Sequence, residues 1–426
     1  MGDFFMRRHR SIVRVIGLPV FALVCGAALA APAFATDGYD AEKALIGDGK
    51  FVTDVRYRFE HVEQDGIAND ADASTIRTRF GYETGEFEGF KALGEIEGIG
   101  YLGKEDFNNS VNGKTTYPTV ADPDGVEINQ AWISWSGLPK TKVTIGRQRV
   151  NLDNQRFIGA VGWRQNEQTF DSAFVQNTSI PNLDLQYGFI RNVNRIFGDD
   201  HTLGDLKSEN HILHAAYKAA DWLSVAAYGY FLDFDRAPTS SSKTYGLRAT
   251  GTYPLNDVKL GYEAEYAMQD DYGNNTANFD LDYFHVAPSV SWGGLTVAAG
   301  FESLEGDGTS AFQTPLATLH AFNGWADKFL TTPANGIEDA YVKLTYEISG
   351  VNKWFDGTKF TGVYHDYESE NGSTSYGDEV NLEVSRKLPH PDFLKGANVS
   401  LKYADYNADD LFTDTKKYWI TLGVNF

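Results

Sequence analysis

From Lys50 to its last residue the chain alternates apolar and polar side chains with a period of two. Phe51, Val55, Tyr57 and Phe59 share one parity, and Asp54, Arg56, Arg58 and Glu60 share the other. Ile76, Phe80 and Tyr82 oppose Arg77, Arg79 and Glu83. Phe90, Ala92, Gly94 and Ile96 oppose Lys91, Glu95 and Glu97, and the pattern returns at 258–266, 340–348 and 418–426. Successive side chains of a strand point to opposite faces, so each segment reads as a strand with one apolar and one polar side. Alternation alone also suits a soluble β-sandwich.

Three further features select an all-β fold of another kind, a transmembrane antiparallel up-and-down β-barrel. The segments run about 10–14 residues, long for soluble strands and suited to a tilted membrane crossing. Short connections fall near 87–88, 138–140, 180–182, 220–221, 255–256, 293–294, 349–355 and 389–393. Between them lie longer or more polar ones near 64–72, 103–124, 150–167, 194–208, 236–243, 271–277, 305–336, 370–375 and 408–413. Outer-membrane barrels alternate short periplasmic turns with longer external loops in this way. The count predicts about 18 strands with both termini in the periplasm. The final strand ends on Phe426, which looks like the insertion signal read by the barrel-assembly machinery. The fourth, sixth, eighth, twelfth and fifteenth strands alternate poorly, as at Trp132, Ile133 and Trp135 or Phe284 and His285, and predict bulges. Closure is required, because in hydrocarbon every backbone group needs a partner.

The N-terminus supplies a route to that membrane. Arg7, Arg8, Arg10 and Arg14 precede an apolar run from Val15 to Ala30, followed by Ala31-Pro32-Ala33-Phe34-Ala35. This is the basic, apolar and small-residue order of a secretory signal, with cleavage expected after Ala35 and the barrel domain spanning 36–426. The run is short for a membrane anchor of about 20 residues. Removal leaves 33 basic and 57 acidic residues, a net charge of −24 against −21 for the whole chain. It also removes Cys25, the one cysteine. A disulfide framework and a Cys/His zinc site are thereby excluded. A chain this acidic presents no basic face for nucleic acid.

On a lipid-facing barrel the polar parity faces the lumen. Arg56 and Arg58 on the first strand then neighbour Arg77 and Arg79 on the second, with Glu95 and Glu97 on the third beside them. The tenth strand adds Arg248 and the seventeenth Lys402. Such a basic row beside an acidic one can set a field across a water-filled constriction, the usual source of selectivity in a pore. The same residues could instead pair and hold the wall. Arg191 and Arg386 keep the apolar parity near strand ends and read as side chains snorkelling to the interface. No cofactor is expected. The acidic loops, for example Asp70, Asp72, Asp122 and Asp124, offer oxygens for a loop-bound Ca²⁺ or for bridges to lipopolysaccharide, or serve solubility alone. Outer-membrane lipids are the other expected partner.

Two loops carry unusual chemistry. The third external loop and its approach hold Arg147, Arg149, Asp153, Asn154, Arg156, Arg164 and Asp171 among amides and aromatics. Guanidinium forks and amides suit carboxylates and sugar hydroxyls, and aromatics stack on sugar rings. The seventh, from Phe312 to Phe329, is too apolar for a free surface loop and is expected to fold over or into the pore, or to pack on itself as a cap.

Gly146-Arg147-Gln148-Arg149, Asn151-Leu152-Asp153-Asn154-Gln155-Arg156-Phe157, Gly162-Trp163-Arg164-Gln165 and Phe170-Asp171 resemble the alginate export porin family. So does Leu319-His320-Ala321-Phe322-Asn323-Gly324-Trp325-Ala326-Asp327. The resemblance implies a monomeric eighteen-stranded outer-membrane barrel whose lumen conducts an anionic uronate polymer. It gives Arg147 the leading role, with Arg149, Asp153, Asn154, Arg156, Arg164 and Asp171 behind it.

The function expected is passive, charge-selective passage of hydrophilic solutes, anionic or carbohydrate, across the bacterial outer membrane. Two other classes compete. An outer-membrane lipase or deacylase needs a Ser or Thr nucleophile with a His. The chain has no G-x-S-x-G and no H-E-x-x-H, and His211 and His214 take opposite faces. A soluble exported sugar-binding β-protein would share the alternation.

Overall fold

A computed structural model describes residues 41–389 and 396–425. The expected signal segment, the end of the turn at 389–393 and Phe426 lie outside the described residues. Nineteen strands follow in order: β1 (Lys50–Gln64), β2 (Ala71–Glu83), β3 (Phe90–Asp106), β4 (Gly125–Leu138) and β5 (Thr141–Gln148). Next come β6 (Thr169–Asn177), β7 (Leu183–Asn194), β8 (Asp205–Ala220), β9 (Leu223–Leu232) and β10 (Ser242–Leu255). Then follow β11 (Val258–Asp271), β12 (Asp280–Val286), β13 (Ser289–Trp292), β14 (Leu295–Leu304) and β15 (Ile337–Glu347). The last four are β16 (Lys359–Glu368), β17 (Ser375–Lys387), β18 (Asn398–Ala408) and β19 (Thr415–Asn425).

Each strand pairs antiparallel with its neighbours, and β1 pairs with β19 from Asp54↔Asn425 to Gln64↔Thr415. The sheet therefore closes and has no free edge. β12 and β13 are one wall strand: both pair with β11 and β14, and Ala287 exchanges backbone hydrogen bonds of 2.8 and 3.1 Å with Glu263. The break falls at Pro288, which has no N–H to give. The wall thus has eighteen positions, as the alternation predicted. The connections keep the expected rhythm of short and long. At Gly293-Gly294 both φ values are positive (54° and 86°), the twist a two-residue hairpin turn needs.

The outward parity is an apolar belt. Phe80, Ile96, Ile133, Ile145, Leu213, Leu247, Leu344, Leu382, Leu401 and Ile420 are all exposed, which suits hydrocarbon and not water. No helix among the described residues is long and apolar enough to cross a membrane.

Four of the five poorly alternating strands, β4, β6, β8 and β16, lie in ladders with register shifts; β12 has none, and β2 and β3, which alternate well, also shift at Ala73/Thr75. In β4 the pairs Glu95↔Gln130 and Ile96↔Ile128 leave Asn129 as an extra residue, so Asn129 and Gln130 both turn inward. In β7 the pairs Asp171↔Asn192 and Ser172↔Ile190 leave Arg191 without a partner. Register also shifts where β7 meets β8 and near the end of β16.

The inward face is less polar than expected. Phe170, Ile190, Ile212, Tyr228, Tyr230 and Tyr283 are buried there against loop residues. The molecule's core lies inside the barrel, because two long loops fold into it.

Candidate functional site

The connection 149–168 leaves the end of β5, crosses the lumen and returns to β6. The connection 305–336 enters beside it. The two are joined by a parallel bridge, Ile158↔Leu316, in which Gly159 N donates to Leu316 O at 2.9 Å. Thr318 N donates to Gln155 O at 3.0 Å. Phe157 is the apolar pin of this plug. Its ring meets Tyr228, Tyr283 and Phe312 at centroid distances of 5.1, 5.5 and 6.1 Å.

Polar residues of the first loop grip the wall on several sides. Asp153 accepts or shares a proton with His214 on β8 at 2.9 Å, and Asn154 donates to Glu263 on β11 at 2.9 Å. Arg156 is buried and donates to Glu302 on β14 at 2.8 Å, to Asn323 at 3.0 Å and to Thr314 at 3.3 Å. Arg164, also buried, reaches Glu60 on β1 and Asp327 of the second loop, each at 3.2 Å. Its own carbonyl accepts from Arg56, whose Nη1 donates to Gly162 O at 2.8 Å and whose Nε donates to Gln165 at 2.9 Å. Burial opposes the charge on Arg164, but Glu60, Asp122 and Asp327 outweigh it and hold this guanidinium ionised.

The expected arginine row is inward-facing as parity required. Arg56 and Arg77 are direct cross-strand neighbours, and Arg79 lies opposite Asp54 in the same ladder. Arg77 pairs with Asp54; Arg79 pairs with Glu97 and, at 3.3 Å, with Glu167 of the loop. Glu95 collects Asn129 at 2.7 Å, Gln130 at 3.1 Å and Arg149 at 2.9 Å, so the β4 bulge places two amides on one carboxylate. Arg149 also pairs with Glu167. Arg248 pairs with Glu263 at 2.6 Å and Glu265 at 3.4 Å.

Lys402 sits in an aromatic box. Its Nζ lies 3.8 Å from the Trp325 ring centre and 4.1 Å from that of Trp163, and it donates to His320 Nε2 at 2.9 Å. Arg58 stacks on Trp163 at 4.0 Å. Desolvated cations over indole faces are worth about 2 kcal/mol each.

Two of the expected lumen residues are not in the lumen. Arg147 and Asp171 pair with each other at 2.8 and 3.2 Å. Arg147 continues the row of Ile145, which is 60% exposed, and Asp171 that of Val175. The inward places on these strands belong to Gln148 and Phe174, both buried. The resemblance fixed which residues occur here, but not on which side of the wall they stand. The remaining expected residues, from Arg56 to Lys402, converge on the plugged lumen.

Sequence reasoning did not assign Glu60, Asp122, Asn129, Glu167, Glu302, Asp327 or Glu379 to the lumen, although they supply its counter-charges and acceptors. Glu60 shares the parity of Arg58 and was accessible on that ground; the loop carboxylates carried no periodic signal. Glu379 on β17 accepts from the backbone N–H of Trp325 and, at 2.9 Å, from that of Ala326, which anchors the second loop.

This plugged barrel, with charged rows on β1–β3 and motifs at 146–171, is matched by the alginate export family model over residues 48–290. The chain belongs to the alginate export family. Solved structures with the same fold include OccAB4 of Acinetobacter baumannii, 14% identical with a TM-score of 0.71, covering 89% of this chain and 98% of that one. OccK9 (OpdG) of Pseudomonas aeruginosa is 14% identical with a TM-score of 0.71, covering 90% and 100%. OpdK of Pseudomonas aeruginosa, crystallised with vanillate, is 15% identical with a TM-score of 0.67, covering 90% and 99%. Among curated proteins no sequence matches the chain. The fold is the one these structures share. Among the described residues no group of three or more His, Cys, Asp or Glu is placed to hold a metal ion.

Proposed function

We propose that this member of the alginate export family is a passive outer-membrane channel for hydrophilic anionic solutes, uronates and their oligomers being the class its motifs suit. The observation that carries the reading is the pairing of Arg56 directly across from Arg77 on the inward face. Like charges in facing positions destabilise a sheet. An arrangement that bears that cost serves something other than the wall. Arg58 Nη1 and Arg77 Nη1, both buried, find no acceptor among the described residues. They are donors without a partner in this conformation, and a carboxylate solute would satisfy them. Vanillate, with which the structurally similar OpdK was crystallised, is such a carboxylate.

Transport then requires the two lumen loops to give way, since in this conformation they occupy the positions beside the arginines. The test is a reversal potential across a planar bilayer under a salt gradient. Wild-type channels should prefer the anion, and Arg56→Gln with Arg77→Gln should remove most of that preference. An unchanged reversal potential would assign the row to the wall. Liposome swelling with neutral sugars, uronates and inorganic anions ranks the solutes.

A further inference from the structure

A charged cavity lies on the other side of the wall. β5 and β6 are 8 and 9 residues long, whereas β4, β7 and β8 have 14, 12 and 16. At their long-loop ends β6, β7 and β8 stop level, Thr169 facing Asn194 and Asn194 facing Asp205, while β4 alone continues from Ala131, its last partner on β5, to Gly125. A cavity of about 460 Å³ opens there, lined by Arg147, Asp171, Arg191, Lys207, Glu209 and Asp235 among others. Those on β5 to β8 follow the outward rows, and Asp235 comes from the connection after β9. Directly along the same rows lie exposed Ile145, Val175, Tyr187 and Leu213 of the apolar belt.

The charges are not all paired. Arg147 is held by Asp171, but Arg191 and Lys207 join no salt bridge among the described residues, and both are exposed. Arg191 continues the outward row of Tyr187 and Phe189, and the β7 bulge beside it keeps Asn192 on the same side, opposite Asp171. Cations on the lipid face of a barrel are costly at the midplane and nearly free at head-group level. With Asp171, Asp205, Glu209 and Asp235 against three cations the cavity is not basic as a whole, so recognition of a head group at that level falls to its two unpaired cations.

We propose that this cavity is a docking site for the phosphorylated glucosamine head group of lipopolysaccharide, its lipid A. The site is continuous with the lipid-facing belt, so the acyl chains would lie along Ile145, Tyr187 and Leu213. Arg191 and Lys207 take a phosphate, the planar fork of arginine suiting its oxygens. Glu209 and Asp235 accept from the sugar hydroxyl and amide donors, which a bare phosphate lacks. The site is on the outside of the barrel and is independent of what the lumen passes.

Native mass spectrometry of the intact barrel in detergent tests this with diphosphoryl lipid A, dephosphorylated lipid A and inorganic phosphate. Wild type should retain diphosphoryl lipid A, lose at least tenfold in occupancy with the dephosphorylated form, and ignore inorganic phosphate. Arg191→Glu with Lys207→Glu should lose lipid A to a similar degree while keeping its heat-modifiable gel mobility. Where that variant fails to fold, Arg191→Gln with Lys207→Gln gives the same comparison with a smaller change in charge. Equal binding of lipid A by wild type and variant overturns the site. Binding of inorganic phosphate that the variant loses overturns the assignment to lipid.

Discussion

His320 should make the plug sensitive to acid. Its ring stacks on Trp163 at 3.9 Å and 5°, Nδ1 lies 2.7 Å from Asp327 Oδ1, and Nε2 lies 2.9 Å from Lys402 Nζ. A lysine ammonium can only donate, so Nε2 must accept and Nδ1 must carry the proton given to Asp327. A second proton would set imidazolium against ammonium, with Arg58 4.0 Å from the neighbouring indole and Arg164 beside Asp327. Burial and Lys402 push the His320 pKa well below its ordinary value, with Asp327 opposing. Once the loops withdraw, the ring is solvated and titrates near 6.5. The closed form excludes the proton that the open form binds, so closure keeps its full stability above pH 6.5. Below it, stability falls by about 1.4 kcal/mol per pH unit. At pH 5.0 that is about 2 kcal/mol, or about a thirtyfold shift toward the open form. Burial opposes ionisation of Asp327, but Lys417, His320 and Arg164 outweigh it, so its own contribution is lost only at lower pH. Single-channel open probability between pH 7.5 and 5.0 is the assay. His214, His285 and His365 also face the interior, so His320→Gln, neutral throughout, is the needed comparison. A rise in opening that survives His320→Gln unchanged, or no rise in wild type, refutes the reasoning.

Two further predictions concern the same plug. Arg164→Met leaves Glu60 and Asp327 short of a partner, and breaking a buried ion pair from one side costs about 3–5 kcal/mol, so open-state conductance should dominate; a channel that stays closed speaks against the latch. At Gly324 (φ +87°) a Cβ would stand 2.3 Å from both Glu379 Oε2 and the Tyr367 hydroxyl, so Gly324→Val should expel the second loop and speed proteolysis within 305–336; unaltered cleavage would contradict it.

Much of the fold was legible because a barrel writes its geometry into the sequence residue by residue. Lipid on one side and polar surroundings on the other impose a strict period of two, and the alternation of short turns and long loops sets the count. Strand β12 alternates poorly in polarity because its inward Leu281 and Tyr283 are apolar and pack on the lumen loops, and β4 because Asn129 is an extra residue. The site was legible in part. Parity alone put Arg56, Arg58, Arg77 and Arg79 on the inward face beside Glu95 and Glu97, and strand pairing is local enough to make them neighbours. The motif at 146–171 marked Arg147 and Asp171 as well, yet both stand outside.

What the sequence by itself determined is therefore the closed sheet, its eighteen positions and the side of the wall on which most charges stand. These follow from local rules: one strand, one turn, one parity. Only the tertiary structure decided that two loops fill the lumen, that Trp163 and Trp325 box Lys402, and that Asp327 ties Arg164 to Lys417. Those contacts join residues far apart in the chain, and no periodicity encodes them. The outer cavity is the same lesson. It joins side chains of β5, β6, β7 and β8 with Asp235 of a loop, a relation between elements and not a property of any one.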